Sequence, residues 1–230
     1  MAIGGIQKLS LVDYPGKTCA AVFTIGCNMR CGYCHNPELV LPERYAPSLP
    51  MDALMDFFQS RVGKLDGVTI SGGEPTMHDG LPDFIAKLKD MGFLVKLDTN
   101  GTNPKMLQSL IDDKMLDFVA MDIKAPLEKY SKIVARPINT DHIKQSIAII
   151  LNSSRINHEF RTTILRCQLS LDDIESMGKM TKGSKRYALQ NFVPGRTLAP
   201  ALANAEAYTK SEMDQAVKIM KKYAREVVVH

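Results

Sequence analysis

Short apolar segments alternate along the chain with longer segments whose apolar residues recur at helical spacing. Residues 18–25 (TCAAVFTI) form the first apolar segment, which is typical of a buried strand. The same pattern predicts five more strands, at 68–70, 94–97, 118–123, 159–165 and 188–193. Segments that are apolar throughout, such as FVAMDI, favour a sheet that is covered on both faces.

The intervals between these strands carry the periodicity of amphipathic helices. One helix face is predicted after the first strand by Met51, Leu54, Met55, Phe58 and Val62. Equivalent apolar stripes begin at Leu81, Met106 and Ile143. Two further helices are predicted where a serine stands three residues before an aspartate, as in a capping box, at Ser170 with Asp173 and at Ser211 with Asp214.

Six strands with helices between them predict an α/β fold with a parallel sheet, because a crossover helix returns the chain to the same edge. A closed eight-fold barrel takes about 250 residues. We therefore predict a partial (β/α)6 barrel like an incomplete TIM barrel, with a doubly wound sheet as the alternative. One domain is expected over 1–230, with an N-terminal extension at 1–17, a barrel core at 18–195, and a loop and C-terminal helix at 196–230. The loosest segment is expected at 196–210.

Polar and glycine-rich segments fall where the predicted strands end. The first three strands are followed by GCNMRCGYCHNP, SGGEPT and DTNGT, and the fourth contains MDIK. The fifth carries Glu159, Arg161 and Thr163 on one face, and the sixth ends in QNFVPG. Because chemistry in parallel α/β folds lies at the carboxyl ends of the strands, these segments predict the functional site.

Composition excludes several classes of protein. Of the 230 residues, 45% are hydrophobic and 23% charged, as in ordinary globular proteins rather than disordered or collagen-like chains. The sequence contains no run of 18 apolar residues, so no membrane span is predicted. A net charge of +4 is too small to predict a nucleic-acid partner. Five cysteines and an N-terminus unlike a signal peptide predict a reducing, cytoplasmic location rather than a disulfide scaffold.

Three of the cysteines, Cys27, Cys31 and Cys34, lie within eight positions and predict a metal site. Cubane iron–sulfur clusters are normally held by four cysteines, so three ligands would leave one iron open to a substrate. A structural zinc site completed by His35 is an alternative, as are three unliganded core cysteines. Cys19 and Cys167 are not placed to supply a fourth ligand; Cys19 is predicted to lie in the core.

The spacing Cys27-x3-Cys31-x2-Cys34, with Tyr33 before the last cysteine, resembles the hallmark of the radical S-adenosylmethionine superfamily. The string FTIGCNMRCGYCHNPEL resembles the activating proteins of glycyl-radical enzymes, and LVDYPGK is similar to those of anaerobic ribonucleoside-triphosphate reductase. The resemblance continues through SGGEPT, KLDTNG, MDIK, HEFRTT and LQNFVPG. It therefore covers nearly the whole chain.

This resemblance implies a [4Fe–4S] cluster on the three cysteines whose fourth iron chelates the amine and carboxylate of S-adenosylmethionine. It implies reductive cleavage to a 5′-deoxyadenosyl radical, which removes hydrogen from a glycine of a partner enzyme, here the anaerobic ribonucleotide reductase. An external one-electron donor, such as a flavodoxin, a ferredoxin or a thioredoxin-like protein, is expected. The alternatives are a small-molecule substrate, as in carboxy-deazaguanine synthases, and a zinc-stapled binding protein.

The resemblance also implies roles for residues around the cofactor. It assigns the methionine amine to Gly72, Gly73 and Glu74, although two glycines after a strand also occur in simple turns. It assigns the carboxylate to Lys124 and the amine or ribose to Asp122, although these two could instead form an ion pair. The remaining cofactor-binding residues implied are Tyr33, Asp98, Thr99, Asn100, Arg161 and Gln190.

Two of these assignments carry further alternatives. Arg161 could bind a carboxylate through a bidentate pair of hydrogen bonds, or it could form a salt bridge to Glu159 or Asp122. The resemblance to pyruvate formate-lyase activating proteins also implies a monovalent cation, held by Asp98, Thr99, the Ala120 carbonyl and Asp122.

Overall fold

Eight strands form one sheet in the computed structural model of the chain, which describes residues 1–230. The strands pair in chain order, and they are β1 Ile3–Ser10, β2 Cys19–Thr24, β3 Gly67–Gly72, β4 Leu94–Thr99, β5 Phe118–Asp122, β6 Asn157–Ile164, β7 Ser184–Asn191 and β8 Ala224–Val229. Only β1 is antiparallel to its neighbour. Because β1 and β8 do not pair with each other, the sheet stays open.

Helices fill the crossovers between the parallel strands. They are α1 Pro37–Val40, α2 Met51–Gln59, α3 Leu81–Asp90, α4 Pro104–Asp112, α5 Tyr130–Ile133, α6 Thr140–Asn152, α7 Leu171–Met180 and α8 Lys210–Met220. Their apolar faces join the strands in one large core. The predicted α/β partial barrel is confirmed, and its six predicted strands correspond to β2 through β7.

The strands at both edges of the sheet escaped prediction. β1 (IGGIQKLS) lies within the predicted N-terminal extension, and its two glycines and polar residues are atypical of strands. β8 (AREVVV) follows α8, which ends at Met220, so the C-terminal segment is a helix followed by a strand. An edge strand has one neighbour and is partly solvated, so it lacks the continuous apolar pattern that revealed the inner strands.

Of three local predictions about helices and loops, one is confirmed and two need correction. The Ser170–Asp173 capping box before α7 is confirmed, whereas the second box is formed by Thr209 and Glu212, two residues earlier than predicted. The segment predicted to be loose is docked: the backbone N–H of Leu198 donates to the Cys34 carbonyl at 2.8 Å. None of the helices has the length and hydropathy that a membrane span requires.

A buried histidine at the start of β6 gives the fold a pH dependence. His158 Nε2 accepts a hydrogen bond from the Lys185 backbone N–H at 3.1 Å. The pKa of His158 is lowered to about 4, first by burial and then by the like charges of Lys185 and Arg225. Protonation would replace the acceptor with a second donor. The folded state therefore disfavours the imidazolium.

We expect the free energy of unfolding to fall as the pH drops from about 6.5 towards 4, because the unfolded chain binds this proton first. Between pH 7 and pH 5, the loss attributable to His158 should be about 2 kcal/mol, and His158→Gln should remove it. Urea unfolding of both proteins at pH 7 and pH 5 measures the difference. An equal loss of stability in the two proteins would show that His158 does not carry the effect.

Candidate active site

The three clustered cysteines face a cavity of about 230 Å³ at the carboxyl ends of β3 through β6. Ten of the residues assigned to the cofactor or the cation also line it, as does His35: Tyr33, Gly72, Gly73, Glu74, Asp98, Thr99, Asn100, Asp122, Lys124 and Arg161. Two do not. Ala120 packs with Tyr14, Cys19 and Phe118 in a separate buried cluster, and Gln190 lies in neighbouring cavities. Sequence reasoning missed Ser71, and had placed Thr163 on the right strand face without assigning it a role.

The cysteine loop begins directly after β2, where Gly26 has a φ of +101°. The Cys34 backbone N–H donates to the Cys31 carbonyl at 3.0 Å, and the Met29 N–H donates to Cys27 Sγ at 3.4 Å. Burial raises the pKa of the Cys27 thiol to about 12 and also raises that of Cys31. Both thiols are therefore protonated at neutral pH unless a metal displaces the proton.

The donor set fits an iron–sulfur cluster better than a single zinc ion. Three thiols from one loop are the soft ligands that iron–sulfur clusters use. No three metal-ligating side chains are arranged around a point where one ion would sit. His35, the fourth ligand of the zinc alternative, instead stacks on Phe192 at 5.5 Å, and its Nδ1 lies 3.0 Å from the Arg196 carbonyl.

The two glycines after β3 let that strand end pack against the cysteine loop. A Cβ on Gly73 would lie 1.9 Å from the Gly26 carbonyl oxygen. Gly72 has a φ of +114°, and a Cβ there would lie 2.2 Å from the Thr24 nitrogen. The Glu74 N–H donates to the Gly26 carbonyl at 2.8 Å. The glycine pair is thus required by close backbone packing, whatever it does for a ligand.

Glu74 joins the ends of β3 and β4. It is 1% exposed, and its Oε1 accepts hydrogen bonds from the Thr76 N–H and from the hydroxyls of Thr76 and Thr99. Its Oε2 accepts from the Asn100 N–H at 2.6 Å. Burial raises the pKa of Glu74, against the lowering effect of these bonds. The carboxylate that the resemblance assigned to the methionine amine is therefore already engaged by the protein.

A side-chain network that sequence reasoning missed ties the cysteine loop to the end of β4. Asn100 Nδ2 donates to Asn28 Oδ1, and Asn28 Nδ2 donates to Thr102 Oγ1, both at 2.8 Å. The Thr102 hydroxyl donates to Asn100 Oδ1 at 2.7 Å. Asn28 follows Cys27 directly, so the network fixes the loop beside a cluster ligand. Its only signal in the sequence is a polar residue within CNMRC.

Alternating charges cross the inner face of the sheet below the cysteine loop. Arg161 contacts both aspartates, with Nε 2.9 Å from Asp122 Oδ1 and Nη1 3.0 Å from Asp98 Oδ2. Lys124 Nζ lies 2.9 Å from Asp122 Oδ2, and Lys96, which the sequence did not single out, pairs with Asp98. The structure thus realises the ion-pair alternatives for Arg161 with Asp122 and for Lys124 with Asp122.

These ion pairs set the charge states of the cavity wall. Burial alone would raise the pKa of Asp98 and Asp122, but the neighbouring cations hold both below the ordinary value. The pKa values of Lys124 and Arg161 are raised by the aspartates despite burial. All four groups are therefore charged at neutral pH.

The monovalent-cation assignment finds no support in this geometry. The guanidinium of Arg161 occupies the position between the carboxylates of Asp98 and Asp122. Thr99 Oγ1 donates to Glu74, and Ala120 lies in the buried cluster outside the cavity. The positive charge that such a cation would supply comes from Arg161, Lys96 and Lys124.

Comparison with known proteins gives this arrangement a family. A family model described as the Radical SAM superfamily matches residues 21–177, more than half of the chain. A putative glycyl-radical enzyme activating enzyme of Methanocaldococcus jannaschii is 34% identical over 99% of this chain and 95% of its own. A pyruvate formate-lyase-activating enzyme of Staphylococcus aureus is 30% identical over 57% of each chain.

Solved structures share the fold at low sequence identity. Streptococcus suis SuiB bound to S-adenosylmethionine is similar with a TM-score of 0.69 and 13% identity, over 90% of this chain and 48% of that one. The present chain thus spans about half the length of SuiB. Coproporphyrinogen III oxidase of Escherichia coli, described as a radical SAM enzyme, is similar with a TM-score of 0.61 and 10% identity over 90% of this chain and 52% of that one.

Proposed function

This chain belongs to the radical S-adenosylmethionine superfamily, and from that premise we propose that it activates a glycyl-radical enzyme. Cys27, Cys31 and Cys34 would hold a [4Fe–4S] cluster with one iron open to S-adenosylmethionine. With S-adenosylmethionine bound at that iron, the cluster would supply one electron to cleave its S–C5′ bond. The products would be methionine and a 5′-deoxyadenosyl radical, which would take hydrogen from a glycine. The observation that carries this proposal is the three-cysteine loop facing a charged cavity in a chain that aligns over 99% of its length with a putative activating enzyme.

The charges of the cavity suit a zwitterionic amino-acid group. Lys124 lines the cavity together with the three cysteines, and its side chain is 16% exposed. It would bind the cofactor carboxylate, while the carboxylate of Asp122 would face the ammonium. The backbone of Tyr33 and the side chain of Gln190 would lie towards the adenosine. Arg161, which is paired with two aspartates, would position Asp122 rather than bind the cofactor itself.

Two larger cavities that neighbour the cofactor cavity favour a protein substrate. The cofactor cavity shares Arg161 with a lateral cavity of about 500 Å³ and shares Thr163 with a third of about 600 Å³. The lateral cavity is edged by Leu11 and Val12, which are 69% and 84% exposed, and the third by Val193, which is 67% exposed. Leu11 and Val12 lie at the amino ends of the parallel strands, and Val193 lies at the carboxyl ends, on the same side as the cysteine loop. Exposed apolar residues such as Val193 beside a cavity are typical of protein-binding surfaces.

The C-terminal helix does not lie in these cavities, since α8 packs against α7. An extended glycine-containing loop could therefore approach beside Val193 and the cysteine loop. We propose the anaerobic ribonucleotide reductase as the partner, because LVDYPGK at residues 11–17 resembles its activating proteins and contributes residues to the lateral cavity.

The decisive experiment combines the anaerobically reconstituted protein with dithionite, S-adenosylmethionine and the anaerobic ribonucleotide reductase of the same organism. Electron paramagnetic resonance should detect a glycyl radical that requires all components. Deuterium on the target glycine should appear in 5′-deoxyadenosine. Transfer of hydrogen from a metabolite, at a rate that the reductase does not change, would instead support a small-molecule substrate.

Replacing Lys124 by methionine should weaken cofactor binding more than it weakens the fold. Loss of a charge-assisted contact of about 1.5–3 kcal/mol corresponds to an affinity loss of about ten- to a hundredfold. Asp122 keeps Arg161 as a partner, so the melting temperature should change little. Calorimetric titration with S-adenosylmethionine and thermal unfolding measure the two effects. A lower melting temperature with unchanged affinity would identify a purely structural ion pair.

A further inference from the structure

One buried hydroxyl in the cysteine loop has no partner in the protein. Tyr33 stands between Cys31 and Cys34, lines the cofactor cavity and is 5% exposed. Its hydroxyl oxygen is buried and makes no hydrogen bond. Since an unpaired buried hydroxyl destabilises the fold, this one indicates an acceptor that becomes available only when the site is occupied.

The surroundings of this hydroxyl identify the acceptor. Burial raises the pKa of Tyr33 well above its ordinary value. Of the charged groups that also act on it, Cys31 has the largest effect, ahead of Lys124, Asp122 and Tyr130. The hydroxyl therefore keeps its proton at neutral pH and is available as a hydrogen-bond donor.

Three of these four neighbours are engaged with one another. Lys124 Nζ donates to Asp122 Oδ2 at 2.9 Å. The Tyr130 hydroxyl donates to the Asp122 carbonyl and accepts from the Lys124 backbone N–H, both at 3.4 Å. The Cys31 sulfur is the acceptor that remains beside the Tyr33 hydroxyl.

The protonated Cys31 thiol explains why this bond is not yet made. A neutral thiol is a weak acceptor, whereas a thiolate carries the negative charge that makes a strong one. The loop already provides Cys27 with a donor of this kind, because the Met29 N–H donates to Cys27 Sγ at 3.4 Å. The Tyr33 hydroxyl would be the equivalent donor for Cys31.

We propose that the Tyr33 hydroxyl donates a hydrogen bond to the Cys31 sulfur of the iron–sulfur cluster and raises the reduction potential of the cluster. The inference rests on the proposed function for the presence of that cluster. A hydrogen bond to sulfur stabilises negative charge, and the reduced cluster carries one electron more than the oxidised one. The proton stays on Tyr33, and the electron comes from the external one-electron donor.

The test measures the reduction potential of the anaerobically reconstituted protein before S-adenosylmethionine is added. Electron paramagnetic resonance during a titration with dithionite should give Tyr33→Phe a lower potential than wild type. At the wild-type midpoint, the ratio of reduced to oxidised cluster should fall about tenfold, a shift of about 59 mV for one electron. The melting temperature of the apoprotein should not fall, because the hydroxyl that is removed has no partner.

Tyr208→Phe is the matched control, because it removes a buried hydroxyl that donates to the Leu169 carbonyl at 2.8 Å. Its cluster potential should equal that of wild type, while its melting temperature should fall. Incorporation of a ring-fluorinated tyrosine, whose hydroxyl is a stronger donor, makes the opposite change. It should raise the potential of the wild-type sequence and leave that of Tyr33→Phe unchanged.

Equal potentials in Tyr33→Phe and wild type would overturn the proposed hydrogen bond. So would a loss of affinity for S-adenosylmethionine without a shift in potential, which would assign the Tyr33 hydroxyl to the cofactor. If Tyr33→Phe assembles no cluster, an unchanged potential in the fluorinated wild-type protein would overturn the bond as well. These outcomes leave the proposed function intact, whereas a wild-type protein that assembles no [4Fe–4S] cluster would refute both.

Discussion

Replacing Cys31 by alanine is expected to abolish both the iron–sulfur cluster and the cleavage of S-adenosylmethionine. Three thiols face the cavity, and a cubane held by three cysteines has no ligand to spare. The wild-type protein, reconstituted without oxygen, should contain about four iron and four sulfide per chain, and Cys31→Ala should retain little of either. Iron analysis, visible absorption and methionine release measure the loss. The same result is expected for Cys27→Ala and Cys34→Ala.

The other two cysteines provide the controls for this experiment. Cys19 is buried against Tyr14 and Phe118 on the floor of the barrel, and Cys167 is exposed after β6. Cys167→Ala should keep the iron content and the activity of wild type. Cys19→Ala should keep the cluster while losing some stability, because it leaves a small cavity. Full iron content and activity in Cys31→Ala would refute the cluster assignment.

The inner strands could be predicted from the sequence because burial on both faces leaves a continuous apolar signal. That signal holds for β2 through β7. β1 and β8, which each have one neighbour in the sheet, are polar or glycine-rich on at least part of their length. Residue types therefore reveal the core of this sheet more readily than its edges.

The members of the site could be predicted, but their partners could not. The motifs at the strand ends identified Glu74, Asp98, Asp122 and Arg161, because parallel strands bring their carboxyl ends to one rim. Arg161 contacts both Asp98 and Asp122 because of the register of β4, β5 and β6, in which Asp122 lies beside Arg161. Register is set by tertiary packing and leaves no local mark on the sequence.

Glu74 and Asn28 illustrate the same limit. Glu74 stands in a motif that points to a ligand, yet its hydrogen bonds go to Thr76, Thr99 and Asn100. Asn28 stands between two cysteines and carried no prediction, yet it links the cysteine loop to β4 through Asn100. The groups that position a ligand-binding loop become visible only when the loops are brought together.

The second large effect is expected from Gly73→Ala. A Cβ at this position would lie 1.9 Å from the Gly26 carbonyl oxygen and 2.6 Å from its carbon. Both atoms belong to the backbone, so no side chain can rotate away, and the loop after β3 must separate from the cysteine loop. Overpacking costs up to about 3 kcal/mol, which for a chain of this size lowers the melting temperature by about 10 °C.

The cluster should be affected together with the fold. Separation of the two loops would break the hydrogen bond from the Glu74 N–H to the Gly26 carbonyl, one residue before Cys27. We expect Gly73→Ala to lose most of its iron as well as its thermal stability. Thermal unfolding of the apoprotein and iron content after reconstitution measure the two effects separately. Gly5→Ala is the matched control, because its Cβ would meet nothing closer than 4.0 Å in β1.

The resemblance and the packing geometry give Gly73 different roles, and this variant separates them. If the glycine serves mainly to let a ligand approach the backbone, Gly73→Ala should fold and hold iron normally while its affinity for S-adenosylmethionine falls. If Gly73 serves mainly to let the two loops pack closely, stability and iron content should fall even without the ligand. The 1.9 Å approach to the Gly26 carbonyl favours the second outcome, because that overlap exists before any ligand binds.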